Sequence, residues 1–135
     1  MNLYHRPASL FVAEFIGSPK MNMLTGTLRS ADAHHASVDV GGQTLTVAVD
    51  ARHLTVGESV QVGVRPEHIP LGAQGEGTGM AAQLQHIERL GDSSLLYVQI
   101  QGQPTATVKV EGNAAMTAGS ALTLRLMPDQ MHLFD

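Results

Sequence analysis

The sequence predicts an all-β protein made of two related β-units behind one short helix, and three observations carry that prediction. Apolar and polar residues alternate in short runs, most clearly where Val60, Val62 and Val64 are interleaved with Gln61, Gly63 and Arg65. Glycine, proline, asparagine and aspartate punctuate those runs, and the chain carries 14 glycines and no tryptophan. Finally, the chain repeats itself. Gly57 to Glu67 aligns without a gap on Gly119 to Asp129, with glycine, three alternating aliphatics, proline and an acid coinciding. Thr46 to Asp50 falls on Thr107 to Glu111, and Val38, Val40, Gly42 and Gln43 fall on Val98, Ile100, Gly102 and Gln103. Units of about sixty residues are too long for a solenoid of short repeats and suit a duplicated small barrel or sandwich.

Taken in order, Met1 to Arg6 reads as a linker tail. Pro7 can open a helix because its missing N–H is one of the donors left unpaired in the first turn. Ala8 to Ile16 then has helical spacing, with Phe11 and Phe15 one turn apart, Val12 and Ile16 one turn apart, and Gly17 as the stop. So short a helix must pack against something to persist. Residues 1–22 are therefore expected to be the tail and helix, with Phe11 and Phe15 carrying the packing.

The first β-unit is expected over 23–71. Met23 to Arg29 is a strand, and Ser37 to Val40 turns at Gly41-Gly42 into Gln43 to Val49, the signal of a hairpin. The strand at Val60 to Val64 ends at Pro66, which has no N–H for the ladder and holds Arg65 extended. Glu67 and His68 should therefore be presented on the corner that follows. Residues 72–79 hold four glycines in eight positions and read as a flexible linker. The second unit, 80–135, opens with Met80 to Leu90 and turns at Gly91-Asp92-Ser93-Ser94. Strands follow at Leu95 to Ile100, Thr105 to Val110, Ser120 to Leu126 and Met131 to Asp135, for about ten strands in all.

Composition excludes several functions. There is no cysteine, which removes disulfides, thiolate catalysis and Cys-ligated zinc and fits a reducing compartment. The formal net charge is −4, with eight Lys and Arg scattered singly, so no basic stripe exists to neutralise phosphates. A strand face built for nucleic acid would also need aromatic platforms, and no nucleic-acid partner is expected. The best apolar run, Leu10 to Ile16, is too short to span a membrane and carries Glu14, which also argues against a secretory signal. The expected location is the cytoplasm.

Chemical motifs are sparse. Seven histidines show no HExxH or His-x-x-x-His spacing, and His34-His35 sits in a loop near Asp32 and reads as solvated, so no metal is expected. Ser93, Asp92 and a histidine make a triad on paper, but no nucleophile elbow supports it. Lys20 and Lys109 are the two lysines, and neither follows a glycine in a GK[ST] run, which excludes a phosphate-binding P-loop. The positions left with a functional reading are turn residues: Arg65, Glu67 and His68 at the first corner, and Asp92 and Ser93 at the turn of the second unit. For the corner, an Arg65–Glu67 pair or a turn cap is the structural alternative.

Phe11 to Asn22, Val62 to Ile69, Leu90 to Leu95 and the closing Leu133-Phe134-Asp135 together resemble the C-terminal regulatory half of the ATP-binding subunit in maltose- and glycerol-3-phosphate-type ABC importers. The resemblance spans nearly the whole chain. It implies an OB-type barrel or sandwich of the transport-associated (TOBE) kind that pairs with its copy and holds two ATPase subunits together. It also implies an ATPase half and membrane permease subunits as associated parts, a possible regulatory protein as partner, and a location on the inner face of the cell membrane. Walker A, signature and Walker B motifs are absent, so no enzyme activity is carried over, and ATP and magnesium belong to the parent and are not cofactors here. The alternative from another class is a module that binds a small oxyanion, which would need backbone N–H groups and Ser, Thr or Lys side chains converging on the anion.

Overall fold

The computed structural model describes residues 3–4, 20–112 and 116–134. The helix expected at Ala8 to Ile16, with Phe11 and Phe15, lies outside the described residues. The strands are β1 (Leu3–Tyr4), β2 (Asn22–Ala31), β3 (Ala36–Val40), β4 (Gln43–Val47), β5 (Ser59–Val64), β6 (Thr78–Arg89), β7 (Ser93–Gln99), β8 (Ala106–Glu111), β9 (Ala121–Leu126) and β10 (Met131–Phe134). Single 3-10 turns, Pro66–His68 and Pro128–Gln130, follow β5 and β9. The body is all-β, as the alternation of its sequence requires.

Two sheets form, ordered β1-β10-β5-β2-β3-β4 and β8-β7-β6-β9. Within them the halves have one plan: β5-β2-β3-β4 corresponds strand for strand to β9-β6-β7-β8, all antiparallel. Even the irregularities coincide. The ladder between β2 and β3 shifts register between Leu28 and Ser30, and that between β6 and β7 shifts between Leu84 and His86, at corresponding positions. An extra residue bends a strand and sharpens its twist, so both sheets curl at the same place.

The tails after the two corners cross over. Past Pro128–Gln130, β10 leaves its own half and pairs antiparallel with β5, Leu133 against Val62. Past Pro66–His68, Leu71 makes the corresponding bridge to Leu124 of β9. The strand at Met131 to Phe134, expected as the last strand of the second unit, thus completes the first sheet. Alternation shows which face of a strand is apolar but not which neighbour it will choose.

Each strand turns its apolar residues into one core shared by both halves. Leu24, Leu28, Val38, Leu45, Val60 and Val62 meet Leu84, Leu96, Val98, Val108, Leu124 and Leu133 there, all at most 1% exposed. Full burial of such a side chain is worth about 1.5–3 kcal/mol against leaving it in water. Gly63 lies at a crowded point, where a Cβ would come within 2.5 Å of Met21 Sδ and 2.6 Å of the Phe134 ring.

Candidate functional site

The first corner is built by Arg65 and Pro66. Arg65 is extended (φ −75°, ψ 144°), Pro66 begins the 3-10 turn, and the His68 N–H donates to the Arg65 carbonyl at 2.9 Å. Pro66 is buried, Arg65 and His68 are half-buried and Glu67 is exposed. Arg65 and Glu67 do not pair; the described ion pairs are Arg29–Asp39 and Arg52–Asp50, each at 2.8 Å. The Nδ1 of His68 is buried without a hydrogen-bond partner among the described residues. His132 joins this corner from β10. Burial, and then the charges of Arg65 and His68, hold its pKa below the usual histidine range. Sequence reasoning missed His132 because its place depends on the crossing of β10. The second corner has the same backbone but other chemistry, with Met127 and Gln130 where the first has Arg65 and His68.

At the turn of the second half, Asp92 is exposed and its carbonyl accepts from the Gly112 N–H at 2.8 Å. Ser93, the first residue of β7, is 7% exposed, and the neighbouring Ser94 is fully buried with its hydroxyl donating to Gly112 O at 2.9 Å. Ser93 therefore sits inside, and Asp92 is the exposed member of that pair. No described hydrogen bond or ion pair joins Asp92 to Arg65, Glu67 or His68. His34 and His35 are exposed, and their backbone N–H groups both donate to Asp32 Oδ1, at 2.8 and 2.7 Å. Among the described residues no three metal-ligating side chains cluster.

The residues read as a flexible linker are held from beneath. Arg125 is 9% exposed, and its guanidinium donates to the carbonyls of Gly75 and Gly77 at 2.7 Å, Glu76 at 3.2 Å and Ala73 at 3.4 Å. Thr78 and Gly79 already belong to β6. A planar fork can satisfy several carbonyls at once, which glycines place close by. At the matching place in the first half stands Gly63, so no such clamp exists there.

Two clefts mark where the halves meet. In one, the Gln43 amide donates directly to Gly79 O at 2.8 Å. In the other, the first residues of β2 run beside the approach to β8, and side-chain amides span the gap. Asn22 donates to Thr107 O at 2.7 Å and accepts from Thr107 N at 2.8 Å. Gln103 accepts from Thr25 N at 2.9 Å and donates to Thr25 O at 3.1 Å. Along those bridges lies a slot of about 240 Å³, lined by residues 20–24 and 104–107. The hairpin of β6 and β7 carries a separate polar group, in which Tyr97 donates to Glu88 Oε1 at 3.2 Å and stacks on His86 with ring centroids 5.7 Å apart.

Comparison with known proteins places this architecture. The family model of the TOBE domain matches residues 62–134, and that of the MalK OB fold domain matches residues 17–69. Over all 135 residues the chain is 40% identical to the sn-glycerol-3-phosphate import ATP-binding protein UgpC of Escherichia coli (strain K12) and, equally, to that of Shigella sonnei (strain Ss046). It spans 36% of the length of these curated relatives. Among solved structures, the cytoplasmic molybdate-binding protein ModG, with molybdate bound, shares the fold at a TM-score of 0.70 and 17% identity, over 83% of this chain and 94% of that one. Every described strand falls within these β-domain matches or in the stretch shared with UgpC, and no ATPase core is part of these residues. The chain belongs to the TOBE domain family, joined to the OB fold domain of MalK type.

Proposed function

We propose that this chain is the non-catalytic regulatory and pairing domain of an importer's ATP-binding subunit, serving uptake of glycerol 3-phosphate or a related polyol or sugar. The observation that carries this reading is the 40% identity to sn-glycerol-3-phosphate import ATP-binding proteins along the whole chain, of which it spans about a third. In this reading two copies pair through their β-bodies and hold two ATPase halves together while the nucleotide sites open. The corner of Arg65, Glu67 and His68 and the exposed Asp92 are the contact positions, for the second copy or for a regulatory protein. The parent assembly sits on the cytoplasmic face of the membrane beside its permease subunits. Among the described residues no helix is long and apolar enough to cross a membrane. At 17% identity the likeness to ModG carries the fold and no ligand.

Light scattering of the chain over a range of concentrations tests the pairing. A concentration-dependent dimer, weakened by Glu67→Lys or Asp92→Lys, is the expected result. A strict monomer at high concentration would overturn autonomous pairing and assign the contact to the ATPase half or to a regulatory partner.

A further inference from the structure

The two clefts between the halves are bridged differently, and that difference singles out one of them. Strand register makes Gly79 the counterpart of Met23, and in the hairpin turn Gln103, whose N–H donates to the Ile100 carbonyl at 3.0 Å, stands where Gln43 does, with Pro104 following it. In the closed cleft Gln43 satisfies the Gly79 carbonyl. In the open one Gln103 reaches past Met23 to Thr25, and Pro104, which has neither a side-chain donor nor an N–H, leaves the Met23 carbonyl without an amide.

Because the Gln103 amide takes both backbone groups of Thr25, those groups point away from β5. Alternation along an antiparallel strand then turns the N–H and C=O of Met23 the same way. By the same argument from the Asn22 bonds to Thr107, the N–H and C=O of Thr105 face the slot from the other side. None of these four groups bonds another described residue. The slot thus presents two donors and two acceptors from backbone, with Lys20, Met21, Met23 and Pro104 among its lining residues and no carboxylate there.

We propose that this slot binds a small polyhydroxylated molecule, of glycerol to hexitol size. Each hydroxyl of a polyol donates and accepts, so it can satisfy a backbone N–H and a backbone C=O together. A fully deprotonated tetrahedral oxyanion such as sulfate only accepts and would bring its charge against two carbonyls. A peptide running through is blocked by the amide bridges on either side of Met23 and Thr105. The volume suits a discrete molecule, since a cavity of about 150 Å³ already holds benzene. This site is independent of the pairing proposed above.

The test is a titration of the ¹⁵N-labelled chain, followed by NMR, with glycerol and with sorbitol, and with sulfate as comparator. Saturable shifts of the Met23 and Thr105 amides with a polyol, and none with sulfate, are expected. Pro104→Gln offers the Met23 carbonyl a side-chain amide, as Gln43 does for Gly79, and should weaken the polyol about tenfold, the equivalent of about one hydrogen bond. Thr105→Trp, which fills the slot by bulk, should do the same. Non-saturating shifts spread over the surface, equal affinity in both variants, or saturation by sulfate alone would each overturn the proposal.

Discussion

At the scale of single residues, the charged groups here are mostly local devices. Asp50 accepts from the Arg52 side chain at 2.8 and 3.0 Å and from its backbone N–H at 3.2 Å, which lowers the Asp50 pKa to about 2. A carboxyl whose pKa is depressed in the folded state favours folding above its unfolded pKa and loses that contribution as pH falls through the folded value. NMR titration of Asp50 should therefore show a midpoint near 2, moving toward 3.8 in Arg52→Ala. Arg52 is exposed and Asp50 half-buried at the surface, so solvent screens the pair and the variant should change the titration far more than the stability. Arg125 is of another kind. Arg125→Met should cost about 2 kcal/mol in urea unfolding and raise the mobility of residues 73–77 in ¹⁵N relaxation, and Arg125→Lys should not restore their order, because a point charge cannot match a fork. The strand bearing Arg125 was legible from alternation, and the glycine-rich stretch was legible as a loop. That one would clamp the other was not, because carbonyl acceptors leave no mark in a sequence.

At the scale of elements, the sequence was informative wherever a rule is local. Pro66 and Pro128 end β5 and β9 and start a 3-10 turn each, as a residue lacking an N–H must, and Gly41-Gly42 makes the hairpin of β3 and β4. The positions of the bulges were not local. Each belongs to the pairing of two strands and not to one run of residues, and neither Leu28 nor Leu84 announces one. Packing against the face of β5 is equally tight. Gly63→Ala should destabilise by about 1–3 kcal/mol in urea unfolding, since its Cβ would meet Met21 and Phe134 at sub-contact distance. The backbone angle at Gly63 is ordinary, so the effect would be one of volume alone. Of the candidate positions on turns, the corner of Arg65 to His68 was legible from its proline. The burial of Ser93 was not, because glycine, aspartate and serine signal a turn whether or not the serine points inward.

At the scale of the molecule, the halves are interlocked and should not unfold separately. Leu133 is fully buried, stands on a strand of the C-terminal half and pairs in the sheet of the N-terminal half. Leu133→Ala should cost about 2–5 kcal/mol. NMR probes at Val38 and Val98, one in each half, should report the same urea midpoint in the parent and in the variant. Two midpoints would show that the halves are thermodynamically separate.

The crossing of β10 also sets a timetable. On the ribosome, β5 emerges long before Met131 to Phe134, and at about 5–20 residues per second the interval lasts several seconds. During that time its outer edge is an unpaired ladder of the sort that captures strands from other chains. The N-terminal half of a nascent chain is therefore an unfinished sheet that must be shielded until synthesis reaches residue 134, and a ribosome stalled before that point should release a chain prone to pair with its neighbours.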